Sequence, residues 1–496
     1  DDERRWYRYH HLFADVLQSY GRTQHPDQLL VWHQRAADWY DGQNDTPNAI
    51  HHALAAQDVD RAADFTERVW RTMDRTFQEV TWLSWADQLP DELIRLRPVL
   101  STGYAWALLD TGQFTKAADY LQNAEQWLET PSPEMVIADQ AEFKTLPGTI
   151  AAARTYLAQA QGDLTATKRY AEQALALIPE DDPFYRAIPT ITLGIAQWAQ
   201  GNLMAAADAF TTATANFQQA DNLLFTISAF AVLAEIKMIQ GELHEAAAIY
   251  EQAIQHIMAS EEPLFRPLIN LHRGLSEIKN EQGDLEAARH HMQKIAELNQ
   301  QAGNPEYEHR YYTALAQLSR SAGNLDEALE LLDKAESVYK RGRMVDAVSI
   351  SALKSRLLIA QDNLPAAAQW ANSHTLSPDD DHTFHSEFVH LTRVRLHIAQ
   401  YRNKQTEALL KTADTLLNRL LPAAEAGGRF GRVIEICLLQ ALLKEAQGDL
   451  SAALISLERA LTLAEPEGYL QLFINEGQPL LTLLKMAAQQ GIATRY

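Results

Sequence analysis

The chain has 496 residues, with 43 lysines and arginines against 65 aspartates and glutamates, a formal net charge of −22 that disfavours nucleic-acid backbones and anionic membranes as direct partners. Hydrophobic residues make up 46%, too many for a disordered chain. The lone Cys437 excludes an internal disulfide and fits a reducing, cytoplasmic compartment.

Taken in chain order, one short phrase organises the sequence: Gly, a polar residue, Leu or Phe, and Ala three residues on. A degenerate copy at Gln57-Asp58-Val59 with Ala62 comes first, then Gly112-Gln113-Phe114 with Ala117 and Gly162-Asp163-Leu164. Gly201-Asn202-Leu203 with Ala206, Gly241-Glu242-Leu243 with Ala246, Gly283-Asp284-Leu285 with Ala288, and Gly323-Asn324-Leu325 with Ala328 follow. The series ends with Asp362-Asn363-Leu364 and Ala367, Asn403 with Ala408, and Gly448-Asp449-Leu450 with Ala453. A fixed period is the signature of a stacked array. Gly supplies the left-handed cap that ends one helix, and the polar residue after it caps or charges the start of the next. Small residues recur seven before each turn (Ala105, Thr155, Gly194, Ala234, Ser276, Ala316, Ala441), and Ala stands five after most turns and twelve after (Ala124, Ala174, Ala213, Ala253, Ala335, Ala460). Small side chains at these heights let neighbouring helices approach closely.

That spacing resembles the tetratricopeptide repeat, TPR. It implies an all-α, TPR-like right-handed superhelix of nine or ten stacked antiparallel helical hairpins. From Gly162 the turns are 39, 40, 42, 40, 39, 41 and 45 residues apart, so helices or loops exceed those of the standard repeat. The first two intervals, 55 and 50, predict less regular N-terminal units. No apolar run reaches the ~18 residues of a membrane span, and Pro-rich or acidic punctuation at 130–133, 179–183, 261–263 and 377–381 marks loops between hairpins.

In TPR arrays the first helix of each pair lines the concave face, at positions thirteen, ten, six and three before the turn. For Gly283 these are Asn270, Arg273, Glu277 and Asn280, and for Gly323 Arg310, Thr313, Gln317 and Arg320. The same rule gives Trp198, Glu235 and Arg356, and nearer the N-terminus Trp106 and Tyr156. The expected ligand groove therefore comprises Trp198, Glu235, Asn270, Arg273, Glu277, Arg310, Gln317, Arg320 and Arg356. Arg273, Arg310 and Arg356 suit an anionic or hydroxyl-rich ligand through forked hydrogen bonds, unless Glu235 and Glu277 pair with them instead.

Catalytic and metal signatures are missing. Asp379, Asp380, Asp381, His382, His385, Glu387 and His390 match no strong zinc spacing and read as a solvated loop. His10-His11, His51-His52 and His290-His291 are sequence neighbours that point different ways on a helix and cannot chelate as pairs. No nucleophile elbow, Gly-x-x-x-x-Gly-Lys-Ser/Thr loop or His-Glu-x-x-His occurs, so no enzyme, cofactor or metal is expected of this stretch.

The two ends carry a sharper resemblance. Tyr9-His10-His11-Leu12-Phe13-Ala14-Asp15-Val16-Leu17, then Trp32-His33-Gln34-Arg35-Ala36-Ala37-Asp38-Trp39-Tyr40 and Ala49-Ile50-His51-His52-Ala53-Leu54, resemble the junction after the nucleotide-binding module of MalT-like, LuxR-type, STAND-class ATP-dependent transcription regulators. Ala464-Glu465-Pro466-Glu467-Gly468-Tyr469-Leu470-Gln471-Leu472-Phe473-Ile474-Asn475-Glu476-Gly477 resembles the segment before that family's helix-turn-helix, and Ala366–Trp370 and Arg393-Val394-Arg395-Leu396 match family positions too. The resemblance implies that residues 1–45 are the tail of the winged-helix and linker helices, 46–464 the TPR-like sensor, and 465–496 the lead into a DNA-binding domain. It also implies that the chain is cut from a longer protein whose ATPase and DNA-binding domains lie outside it. An inducer or protein effector would bind the sensor and release an inhibited nucleotide switch. The alternative is a stand-alone TPR scaffold that holds a partner protein or peptide.

Overall fold

The repeated phrase folds as read. In the computed structural model, which describes residues 11–76, 78–260, 264–302, 308–339, 348–373 and 384–492, every phrase glycine sits at positive φ between two helices. The small residues at the second and third heights are sealed: Ala117, Ala206, Ala246, Ala288, Ala328 and Ala453, and likewise Ala124, Ala174, Ala213, Ala253, Ala335 and Ala460, are all 0% exposed. No strand occurs among the described residues.

Helix length explains the long period. The helices Leu203–Gln219, Leu223–Gln240, Leu243–Ala259, Phe265–Glu281 and Leu285–Ala302 have 17 or 18 residues each. The irregular N-terminal spacing has two causes. Two short helices, Glu79–Ala86 and Asp91–Arg95, are inserted after the hairpin turning at Gln57, and an irregular stretch precedes Gln140–Ala160. Glu67, fully buried, holds that stretch by accepting the backbone N–H of Ala138 at 2.9 Å and of Asp139 at 3.1 Å.

Three expectations need correction. The turn expected at Asn403 lies at Gln405, whose φ is 53°, because Asn403 is still inside the helix Phe384–Lys404. The polar residue after the turn caps the next helix only in some copies. Asp58, Asp163, Asp284 and Asp449 accept a helix N–H, whereas Gln113, Asn202, Glu242 and Asn324 make no such bond. Finally, Leu223–Gln240 is long and apolar enough by composition to cross a membrane, with mean hydropathy 1.6. Glu235 and Lys237 break its run in the sequence, and in the fold it packs against the helices Leu203–Gln219, Leu243–Ala259, Phe265–Glu281 and Phe430–Ala446.

The chain divides into two units, split between Pro189 and Thr190. In the second unit the first helices of successive hairpins form an inner layer: Leu223–Gln240, Phe265–Glu281, Glu308–Ser321, Ile350–Ala360, Phe384–Lys404 and Phe430–Ala446. The layer closes on itself, since Phe430–Ala446 packs back on Leu223–Gln240, and the short helix Gln471–Ile474 on Phe265–Glu281. Close packing sets residue size as well as polarity. Tyr250, 1% exposed, lies against Gly274, where any Cβ would drive into its ring. Gly274→Ala is expected to cost about 1–3 kcal/mol by overpacking, as are Ala246→Leu and Ala328→Leu. Unchanged urea midpoints for all three would show the hairpin register to be wrong.

Candidate functional site

The inner layer of the second unit encloses two adjoining cavities. The larger, about 530 Å³, is lined by Trp198, Glu235, Arg273, Glu277, Arg310 and Gln317, with Thr313 and His309. The smaller, about 260 Å³, is lined by Glu277, Asn280, Glu281, Gln317, Arg320, Arg356, Arg395, Arg432, Glu435, Tyr469 and Glu476. Met238, Ile239 and Val348 belong to both. The face rule therefore brings eight of its nine residues to these walls. Asn270, half-buried on Phe265–Glu281, lines neither cavity. Trp106 and Tyr156 belong to the first unit, where their ring centroids lie 6.3 Å apart.

The larger cavity has a closed charge network. Glu235 accepts from Arg310 at 3.0 Å and from Arg273, and Arg273 also donates to Glu277 at 2.8 Å. Burial alone would ease the proton off Arg273, but the charges of Glu277 and Glu235 outweigh it and hold the guanidinium firmly protonated. Two arginines here are thus largely committed to carboxylates. Other polar atoms lack a hydrogen-bond partner among the described residues: the indole N–H of Trp198, Nε of Arg273 and Oδ1 of Asn280. Buried polar atoms are normally satisfied, so such vacancies are places where a ligand's polar groups gain most.

The smaller cavity is built round Glu435, 2% exposed. Its Oε1 accepts from Arg395 at 2.6 Å and forms an ion pair with Arg356 at 2.8 Å, and its Oε2 accepts from Arg432 at 2.8 Å. Arg395 reaches on to Glu476 at 2.6 Å. Arg356 also donates to Thr392 Oγ1 at 2.8 Å and lies 3.7 Å over the centre of the Phe388 ring. One wall is the segment after the last hairpin. Leu470 N–H bonds the Glu281 carbonyl at 2.9 Å, Leu472 N–H the Glu281 carboxylate at 2.8 Å, and the Glu467 carboxylate takes the N–H of His244 at 2.9 Å.

Face counting missed Arg395, Arg432, Glu435, Glu476, Glu281 and Tyr469. Two were within its reach. Glu435 stands thirteen before the turn at Gly448, on the face the rule selects. Arg395 stands ten before Gln405, and placing that turn at Asn403 hides it. Glu476 and Tyr469 come from outside the repeats, and no helical periodicity signals them.

The titratable loop needs correction as well. Asp379–His382 lie outside the described residues, as do Tyr9, His10 and the loops at 261–263 and 377–381, but Glu387 and His390 are 1% exposed rather than solvated. The histidines that meet are not the sequence neighbours. His52 Nδ1 lies 2.8 Å from His33 Nδ1, and His291 Nδ1 3.0 Å from His272 Nδ1, each across a helix pair. Burial, with repulsion from His291, pushes His272 down to about 4, so that pair is neutral near pH 7. Among the described residues no three His, Cys, Asp or Glu side chains gather as a metal site requires.

Comparison with known proteins places this geometry in a family. The MalT-like TPR region matches residues 148–490. The HTH-type transcriptional regulator MalT of Cronobacter sakazakii is 26% identical over 499 residues, covering 99% of this chain and 52% of the relative. MalT of Klebsiella pneumoniae is 23% identical over 510 residues with the same coverage. The chain thus spans about half the length of the curated relatives it matches. Among solved structures, a Rap protein complexed with competence and sporulation factor superposes with a TM-score of 0.54 at 12% identity, over 75% of this chain and 98% of that one.

Proposed function

The chain belongs to the MalT-like TPR region family, and on that footing we propose that it is the effector-sensing part of a LuxR-type, STAND-class transcription activator, acting in the cytoplasm. A small molecule or a protein segment binds in the chamber of the second unit. The carrying observation is the pair of adjoining cavities, lined by polar side chains from successive first helices and holding buried polar atoms without partners. The wall made by 467–476 supplies an output. It is tied to the helical array by hydrogen bonds with Glu281, Gln282, His244 and Arg395, and it leads directly into the C-terminal helix Gln478–Gln489. An occupant that shifts this wall would bias whatever follows it, and so relieve inhibition of a nucleotide-hydrolysing module carried elsewhere in the full-length protein. The Rap protein that superposes on this fold is complexed with competence and sporulation factor, which supports a protein or peptide effector as the second reading beside a small molecule.

The test is a thermal-shift screen of the chain against sugars, nucleotides, lipids and peptides, followed by calorimetry of any hit on Gln317→Ala and Arg310→Ala. A charged hydrogen bond lost from Arg310 should weaken binding by ~1.5–3 kcal/mol. Hits that bind both variants as they bind the parent would move the site away from the chamber. The isolated chain is expected neither to hydrolyse ATP nor to retain operator DNA. ATP turnover by the pure chain, abolished by a point change within it, would overturn this.

A further inference from the structure

Of the four arginines the face rule nominated, three are neutralised within the fold. Arg273 and Arg310 share Glu235, and Arg356 has Glu435. Arg320 is different. Among the described residues no carboxylate stands within 4.0 Å of its guanidinium, and its side chain makes no hydrogen bond. It nevertheless lines the smaller cavity. Burial, with repulsion from Arg395, draws it down to about 10, and the more distant Glu476, Glu281 and Glu435 do not make up the loss. The charge balance of the cavity points the same way. Arg320, Arg356, Arg395 and Arg432 face Glu435 and Glu476, both already engaged by arginines, and Glu277, which Arg273 engages. The fourth carboxyl, Glu281, is pushed up to about 7 by burial and by repulsion from Glu435, against the pull of the Leu472 N–H and of Arg320, so it is half-neutral near pH 7. Within a chain of net charge −22, Arg320 is thus a half-buried cation with no close counter-ion among the described residues. A cation partly withdrawn from water without a close partner favours an anion supplied from outside.

Building on the effector-site reading above, we propose that the smaller cavity is an anion subsite, in which Arg320 anchors an oxyanion group, carboxylate or phosphate, of a small-molecule effector. The rest of the ligand extends along Gln317 and Glu277 into the larger cavity, which those two residues also line. Glu281 faces Arg320, Glu435, the Leu472 N–H and Tyr469, and its ionised form repels the incoming anion. Affinity therefore rises as pH falls through about 7.

The experiment is calorimetry on the full chain with inorganic phosphate, pyrophosphate, succinate and citrate at constant ionic strength, and a neutral oligosaccharide as control. The phosphate and carboxylate arms separate the two sources of the oxyanion. At least one anion should bind the parent, about ten- to hundredfold more weakly to Arg320→Gln, with partial recovery in Arg320→Lys. Glu281→Gln should flatten the pH dependence between pH 6 and 8 while keeping an acceptor for Leu472. Unliganded Arg320→Gln should melt no lower than the parent, since it removes an uncompensated charge; a purely structural arginine would lower the melting temperature. Equal anion affinity in parent and Arg320→Gln, or no anion binding by the parent, would overturn the subsite. If the neutral oligosaccharide then still bound and depended on Gln317, the effector-site reading would stand without it.

Discussion

Glu435→Ala should destabilise the chain by about 3–5 kcal/mol, the range for stripping one partner from a buried ionic cluster. One carboxylate at 2% exposure serves Arg356, Arg395 and Arg432, and Arg395 has a second carboxylate, Glu476. Its loss leaves Arg356, 8% exposed, with a threonine hydroxyl and an aromatic face but no counter-ion. Burial alone would raise the Glu435 carboxyl; the charges of Arg356, Arg395 and Arg432 outweigh it and hold the group well below the usual carboxylate range. A depressed carboxyl stabilises the fold fully above its unfolded value of 4.5, and the contribution drains away as pH falls below that towards the folded value. Urea denaturation at pH 7 should therefore show the full loss, and the gap between the parent and Glu435→Gln should narrow below pH 4.5. A loss under about 1 kcal/mol at pH 7 would mean that water reaches the cluster and screens it.

How much of this was legible in the sequence follows from where each residue sits. Gly241, Gly283 and Gly323 fix the phase of their hairpins, and counting back from them finds Glu235, Arg273, Gln317 and Arg320 because a helix repeats every 3.6 residues. The count fails where the marker is ambiguous. Gln405 takes a positive φ without being glycine, and reading the turn two residues early hid Arg395. With the turn at Gln405, the last two intervals become 43 and 43 instead of 41 and 45, a regularity that would have flagged the error. Polarity on a concave face also says nothing about partners. Arg273 and Arg320 lie on the same face of adjacent first helices, two turns apart in height, yet among the described residues one is paired with two glutamates and the other with none. The partners of Arg273 are near at hand, Glu277 four residues on and Glu235 on the neighbouring first helix, whereas the charges around Arg320 include Glu435 and Glu476, brought across the array by the closure of the unit, which no local pattern encodes.

That closure carries the other large expected effect. Arg429, 5% exposed, holds Glu387 with two forked bonds, one at 3.0 Å from Nε, and also donates to the carbonyls of Gly201 at 3.2 Å and Ala423 at 2.8 Å. Gly201 is the turn of an early hairpin, so this one guanidinium joins the two ends of the second unit's array. Gly427 must lack a side chain because the guanidinium lies over it. Glu387→Met strands a buried cation and should cost about 3–5 kcal/mol. The double variant Glu387→Met with Arg429→Met removes both charges and should recover part of that. It should not recover all, since the Gly201 carbonyl loses its guanidinium donor, at about 1–3 kcal/mol where buried, while the Ala423 carbonyl keeps the N–H of Gly427. If the ion pair alone mattered, the double variant would match the parent in urea denaturation. If the bridge between hairpins is the main role, the double variant stays destabilised, and hydrogen exchange quickens at 198–202 and 423–430 ahead of the rest of the unit.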